Sequence, residues 1–588
     1  MMRTETLTSA LGVAVASILL LACSRVVTQE RAMPTPATLT KHCQEIVGAP
    51  RIERVTDDVW VARGYDLANT ILIRTPAGNV VVDAGMTPAR AARARADLLS
   101  YSPGPTRALI YTHSHIDHVG GASEWVEPNT EIWATAAFEE HFVKQYGLFM
   151  AAEARRGARQ MGREVPDAVL PCSALGRRVD IEGAARSGVR MPNREFTGAQ
   201  SLNFGGVKIE LVEAHGETDD QLFVWLPDRG VLLAGDNYYH AFPNLYTIRG
   251  TRPRPVDAWI ASLDAMRRRA PEHLVPSHTG PIRGRAAVLE ALTDYRDAIA
   301  WVRDELVRAA NAGEPLDDAV TRIGLPPHLA HKPYLQELYG QVDWSARAIY
   351  GNELGWFDGD PTRLYPLPRR EAARREVALM GGDQVVLQRA VAAREAGEAR
   401  WSVHLLAALR DGHRDGDAVG RAAIEDELAT SLEAVAAGVH NTNGRAYLLQ
   451  SARELRDGPP PPIKPELDDA LLAGIPVVRF LSIMATRLLP ERALDVHEAV
   501  AFRFSDTDER YTMTVRRGVA ELIAGAPLPG TPAPVATVIT DTLTWKRLAM
   551  KIETAAAAIT AGRLKIEGSK TGFVGFIRRF DRSEPGES

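Results

Sequence analysis

Eleven residues, YTHSHIDHVGG from Tyr111 to Gly121, place three histidines and an aspartate within positions 113–118. A lone loop histidine is ordinarily a surface or core side chain; four ligand-type residues arriving together are not. They follow a short apolar run, Ala108–Tyr111, that reads as a buried strand. Alternate residues leaving a strand point to the same side, so His113 and His115 face one point while Asp117 and His118 turn to a neighbouring one. Imidazole and carboxylate together suit zinc and similar divalent ions. Gly120 and Gly121 are read as a tight turn closing the loop. Whatever else the chain does, it must fold around a metal loop at the end of a strand.

The rest of the first half repeats that design. VWVARG, NTILIRT, GNVVVDAG, VKIELVEAHGET, LFVWLP, GVLLAGDN and HLVPSHTGP are short strand-like segments, several ending at a polar residue, and a helix is expected over Pro88–Ser100. This is an α/β pattern whose loops gather at strand ends. A two-metal site needs about six or seven ligands, and Glu217, Asp236 and His278 each stand just past an apolar strand. Taken singly, Asp236 serves equally as a cap and Glu217 as a solvated side chain. Asp83, at the end of GNVVV, is either a turn residue or a group that orients a ligand histidine.

From Ala286 to Arg456 the sequence turns helical, rich in Ala, Arg, Glu and Leu, and residues 427–458 read as an antiparallel helix pair. The proline-rich GPPPPIKPELDD marks a boundary. Beyond it, AVAFRF and RYTMTVRRG form an expected hairpin, and ATVITD and LTWKRLAMKIE complete a small α+β unit. Its alternating apolar pattern fits a fatty-chain cavity and an ordinary core alike. The expected divisions are 1–23 export signal, 24–44 polar tether, 45–285 metal domain, 286–457 helical domain, 458–469 linker and 470–588 C-terminal domain. The length of 588 residues agrees with several domains, and a net charge of −5 gives no reason to expect nucleic acid.

The N-terminus carries Arg3, then an apolar run from Leu11 to Ala22 before Cys23. LLAC resembles a bacterial lipobox, making Cys23 a lipidation candidate, with a cleaved soluble signal as the alternative. The expected location is the cell envelope, periplasmic or membrane-anchored. An oxidising compartment permits a disulfide between Cys43 and Cys172, but for two cysteines so far apart in sequence unpaired thiols are the expectation.

HSHIDHVGG matches the H-x-H-x-D-H motif of the metallo-β-lactamase superfamily, with the later candidates in that superfamily's order. With HGET, AGDN before FPNLYTIRG, and IYGNELGWFDGDP, the chain resembles the bacterial alkylsulfatases, the dodecyl-sulfate-hydrolase group, over about residues 45 to 585. The resemblance implies an αββα metallo-β-lactamase-like sandwich, an all-α dimerisation domain and a sterol-carrier-like C-terminal domain that recruits the alkyl chain. It also implies two zinc ions per chain: His113, His115 and Glu217 hold one, Asp117, His118 and His278 the other, and Asp236 bridges. Glu217 stands where most of the superfamily has histidine and separates alkylsulfatases from lactamases and glyoxalases. Asp236 departs from the usual glutamate of the better-known alkylsulfatases.

The implied reaction is hydrolysis of alkyl sulfates to alcohol and sulfate by a homodimer. Two metals lower the pKa of a shared water from about 15.7 toward about 7, giving the nucleophile. Asn244, Thr247, Arg249 and Arg254 form the implied sulfate pocket, where guanidinium forks suit a tetrahedral oxyanion. His240 and Tyr246 are candidates for assisting the leaving group. The alternatives are a lactonase, thioesterase or phosphodiesterase of the same superfamily, or a non-enzymatic envelope lipid-binding protein. Chain length, primary against secondary sulfate, and C–O against S–O cleavage are not legible.

Overall fold

The structure, a computed structural model, describes residues 35–580. The leader and the lipidation candidate Cys23 lie outside them. Among the described residues the strands form three sheets. The first has seven strands in chain order, from Arg51–Thr56 to Arg194–Phe196; the second has six, from Ala199–Phe204 to Ile282–Arg283. Their facing sides share one apolar core, with Val61, Ile73, Val82 and Ile110 from one sheet and Ile209, Val224, Leu233 and Val275 from the other. Helix Pro88–Tyr101 covers the outside of the first sheet and helix Val256–Arg268 the outside of the second. The result is the expected αββα sandwich.

Strand direction explains why the polar ends meet. Gly78–Val82 runs parallel to Thr106–Ile110, and Val231–Gly235 parallel to His273–Pro276. Val207–Glu213 is antiparallel to Leu222–Leu226, which is antiparallel to Val231–Gly235, so it shares their direction. Asp83, His113, Glu217, Asp236 and His278 therefore all emerge at one edge of the sandwich.

The helical region begins with Arg285–Asn311 and packs on the second sheet's outer helix through one core containing Trp259, Leu263, Tyr295, Ile299, Val342 and Ile349. The expected helix pair is Arg421–Ala437 and Thr442–Asp457. The last region has a five-stranded sheet in which hairpin His497–Phe504 and Arg510–Arg516 lies beside Ala536–Thr540. Its helix Val477–Thr486 reaches back to the first sheet's outer core, where Phe480 and Ile483 pack.

Two expectations change near the N-terminus. Residues 37–47, read mainly as tether, are helical, and Leu39 is buried with Val47 and Cys172. Cys43 and Cys172 are not free thiols but a disulfide, with Cα atoms 5.7 Å apart. The fold brings together residues separated by 129 positions, which sequence spacing does not report.

Candidate metal centre and active site

The metal loop leaves strand Thr106–Ile110 and enters a single helical turn, Ile116–Val119. Gly120 and Gly121 make the expected turn, with backbone angles that do not themselves require glycine. They are small because the backbone passes close: a Cβ on Gly120 would lie 1.9 Å from the Met86 carbonyl oxygen, and one on Gly121 2.3 Å from that of Ala84.

Three of the four histidines are held from behind at Nδ1. His118 Nδ1 donates to Asp83 Oδ2 at 2.8 Å, His278 Nδ1 to the Leu67 carbonyl at 2.9 Å, and His113 Nδ1 to Thr112 Oγ1 at 3.1 Å. Each then presents Nε2 to the centre, the usual arrangement behind ligating histidines. Asp83 has a left-handed backbone (φ 59°) and also accepts from Thr112 N, Thr112 Oγ1 and Ser277 Oγ. It thus ties the strand ends of both sheets to one imidazole.

In the centre, Asp236 Oδ2 lies 3.0 Å from His278 Nε2 and 3.9 Å from His113 Nε2, and Oδ1 3.5 Å from His118 Nε2. Short as it is, this aspartate reaches both sides. Asp117 Oδ2 is 3.4 Å from His118 Nε2 and 3.5 Å from His278 Nε2. Two sets thus have geometry that could hold a metal ion: His113, His118 and Asp236, and Asp117, His118 and His278. His115 Nδ1 sits 2.8 Å from His113 Nε2 and 4.0 Å from Glu217 Oε1. Glu217 lies at the margin, its other oxygen paired with Arg254.

The electrostatics favour a cation. Burial pushes His118 down, but Asp236, Asp117 and Asp83 outweigh it and raise its pKa; burial likewise opposes, and Asp236 leads, the rise at His278. Burial raises Asp236 and Asp117, yet the histidines prevail and hold both low, Asp117 at about 2. Burial drives Glu217 up to about 7 against the pull of Arg254. The carboxylates demand positive charge, which a metal ion supplies in place of protons. His118 Nε2 and Asp236 Oδ1 are buried without hydrogen-bond partners among the described residues, so the residues present fit a metal ion.

Beside this cluster the stretch 244–254 packs against helix Met150–Met161. Arg249 Nε donates to Glu153 Oε1 at 2.5 Å, its Nη1 to Thr247 Oγ1 at 2.9 Å, and its Nη2 to His115 Nε2 at 3.0 Å. Gln160 Oε1 accepts from Thr247 Oγ1 (2.9 Å) and from the Arg249 N–H (2.7 Å). Arg254 Nη1 donates to Glu217 and to the Asn244 carbonyl. Four buried donors here have no hydrogen-bond partner among the described residues: Asn244 Nδ2, Arg254 Nε and Nη2, and Gln160 Nε2. Thr247, expected in the sulfate pocket, gives its hydroxyl proton to Gln160.

The structure does not bring His240 to the cluster. Its ring packs near His42 and Tyr334, and burial, with the charges of His42 and Arg63, lowers its pKa to about 4. Tyr246 is half-buried between Leu245 and Thr247. Glu153 and Gln160 were not singled out from sequence. Their separation of seven, two turns on one helical face, was the available signal.

Fold and strand-end cluster together define a metallo-β-lactamase-type protein, and the superfamily profile matches residues 63–278. Profiles described as alkyl sulfatase dimerisation and alkyl sulfatase C-terminal match residues 316–458 and 466–586. The chain is 34% identical over 473 residues to a linear primary-alkylsulfatase of Pseudomonas sp., covering 77% of this chain and 88% of that protein. It is 29% identical over 551 residues to an (R)-specific secondary-alkylsulfatase of Pseudomonas sp., covering 90% and 81%. A stereoselective inverting sec-alkylsulfatase structure from Pseudomonas sp. superposes with a TM-score of 0.82 at 27% identity, covering 94% of this chain and 87% of that one. The chain belongs to the alkylsulfatase family.

Proposed function

We propose that this protein hydrolyses alkyl sulfate esters to alcohol and inorganic sulfate. The observation that carries the reading is the contact of two opposite environments: a carboxylate–histidine cluster beside a set of buried, unpaired N–H donors. His113, His115 and Glu217 would hold one zinc, Asp117, His118 and His278 a second, with Asp236 between them. Two such ions lower the pKa of a water and offset charge on the sulfate. The chain's own groups do the rest. Arg249, held by Glu153, reaches the cluster at His115 and presents a guanidinium to the sulfate. Asn244 and Arg254 offer donors that no described residue uses, and Gln160 and Thr247 fix Arg249 in place. Asp83 fixes His118 in orientation.

The active form proposed is a homodimer formed through the helical region. Within the segment matched as dimerisation domain, Leu354, Trp356, Tyr365 and Leu367 are exposed, Trp356 at 79% and Tyr365 at 90%. Such a patch suits a protein interface. Export to the cell envelope is supported by the Cys43–Cys172 disulfide, which fits an oxidising compartment. The test is turnover of linear, secondary and branched alkyl sulfates in the presence of zinc, set against a lactone, a thioester and a phosphodiester. Sulfate release from the alkyl series is expected. Turnover of the other esters without any sulfate release would overturn the reading.

A further inference from the structure

One side chain beside the metal loop holds a proton for which no acceptor is found among the described residues. A wide helical turn, Lys144–Leu148, follows helix Phe138–Val143 and lays Tyr146 over the loop. The backbone N–H of Ile116, the residue between His115 and Asp117, donates to the Tyr146 hydroxyl at 3.0 Å. Gln145 Nε2 donates to the same oxygen at 3.1 Å. That nitrogen also lies 3.0 Å from Glu153 Oε1, and a carboxylate paired with Arg249 only accepts, so the atom is the amide nitrogen and not its oxygen.

A phenol has one proton to give, and here its oxygen already receives two hydrogen bonds. The proton is therefore left to point away from both donors. It also stays on the oxygen at neutral pH, since an ordinary tyrosine titrates at about 10. The network runs from Ile116 through Tyr146, Gln145 and Glu153 to Arg249, whose Nη2 returns to His115. The phenol oxygen is thus one link in a hydrogen-bonded network that joins the metal loop to the guanidinium. Helix Val477–Thr486 backs the turn, because a Cβ on Gly147 would lie 2.9 Å from Ile483 Cδ1. His240, facing His42 and Tyr334, is not placed to compete.

We propose that Tyr146 is a catalytic residue that donates its proton to the bridging ester oxygen of a bound alkyl sulfate as the S–O bond breaks. The proposal rests on the sulfatase reading above. Hydroxide, a water that has given one proton to solvent, forms the new bond to sulfur. The electron pair of the broken bond passes to the ester oxygen, which takes the phenol proton and leaves as alcohol. The phenolate recovers a proton from the hydrogen sulfate formed, leaving sulfate dianion. A donor at this oxygen matters for S–O cleavage, where the leaving group is otherwise a strongly basic alkoxide. In C–O cleavage the leaving group is sulfate and needs no proton.

The test compares wild type with Tyr146→Phe on dodecyl sulfate and on its 2,2-difluoro analogue, whose alcohol is more acidic. Zinc is counted in both proteins. The expected result is a kcat loss of about a hundredfold or more on dodecyl sulfate, in the range of general acid catalysis. The loss should be much smaller on the fluorinated ester, with KM and zinc content little changed. Equal loss on both esters, or loss of zinc, would show a structural role and overturn the proposal. If the variant does not fold, wild type decides: its rate should respond weakly to fluorination, and ¹⁸O-water should label the sulfate. A steep response, or label in the alcohol, would overturn it. A wild type inert to every sulfate ester instead overturns the sulfatase reading itself.

Discussion

The strand-end cluster and the stretch 244–254 touch at His115 and Glu217, yet the atoms each leaves unsatisfied are of opposite kinds. In the cluster they are His118 Nε2 and Asp236 Oδ1, which face inward among carboxylates and imidazoles. In and against the stretch they are chiefly N–H donors, on Asn244, Arg254 and Gln160, with Asn244 Oδ1 as the exception. Buried polar atoms without partners are costly, so each set points to what should fill it: cations in one and an oxyanion beside the other. Arg254 belongs to both regions, one nitrogen committed to Glu217 and two left free.

Five substitutions test this contrast. The largest effect is expected in the cluster. His115→Ala or Asp117→Ala should reduce both zinc content and turnover, the latter by about a thousandfold or more, since such ions contribute several kcal/mol to the transition state. Near-normal turnover in a metal-free preparation would erase the distinction. Next is the shared residue. Arg254→Met strands Glu217 without its cation, and breaking a buried pair costs about 3–5 kcal/mol. Thermal unfolding of the zinc-free protein should show it; an unchanged melting temperature would mean that Arg254 serves substrate alone.

Arg249→Ala belongs to the anion side. Its loss should lower the rate roughly a hundredfold or more, matching about 2.7–4 kcal/mol for an oxyanion donor, with zinc content normal. Full activity on dodecyl sulfate would place the sulfate elsewhere. The smallest effect is expected from Gln160→Ala, which removes the acceptor of Thr247 and of the Arg249 N–H. About tenfold is expected, from two hydrogen bonds worth about 0.5–1.5 kcal/mol each. A product-inhibition constant for sulfate that does not move would remove Gln160 from the anion side.

What the sequence made legible follows the same contrast. Asp83, His113, Glu217, Asp236 and His278 stand at strand ends, and parallel strands carry their ends to one edge, so local pattern nominated them and the family resemblance grouped them. The partners of the anion stretch come from helix Met150–Met161 and the turn before it, whose Tyr146, Glu153 and Gln160 look like ordinary amphipathic positions until tertiary packing sets them against Arg249. The ring of His240 packs near His42 and Tyr334, neighbours that no local pattern reports. The Cys43–Cys172 pairing is likewise set by the docking of the N-terminal helix.

Whether one site joins two cations to a sulfate ester is decided by stripping the purified protein of metal, returning zinc in steps, and following sulfate release from dodecyl sulfate. No release is expected from the stripped protein, and a rise that levels at two zinc ions per chain. Sulfate release by the stripped protein, or a zinc-loaded protein that releases none from any alkyl sulfate, would contradict it.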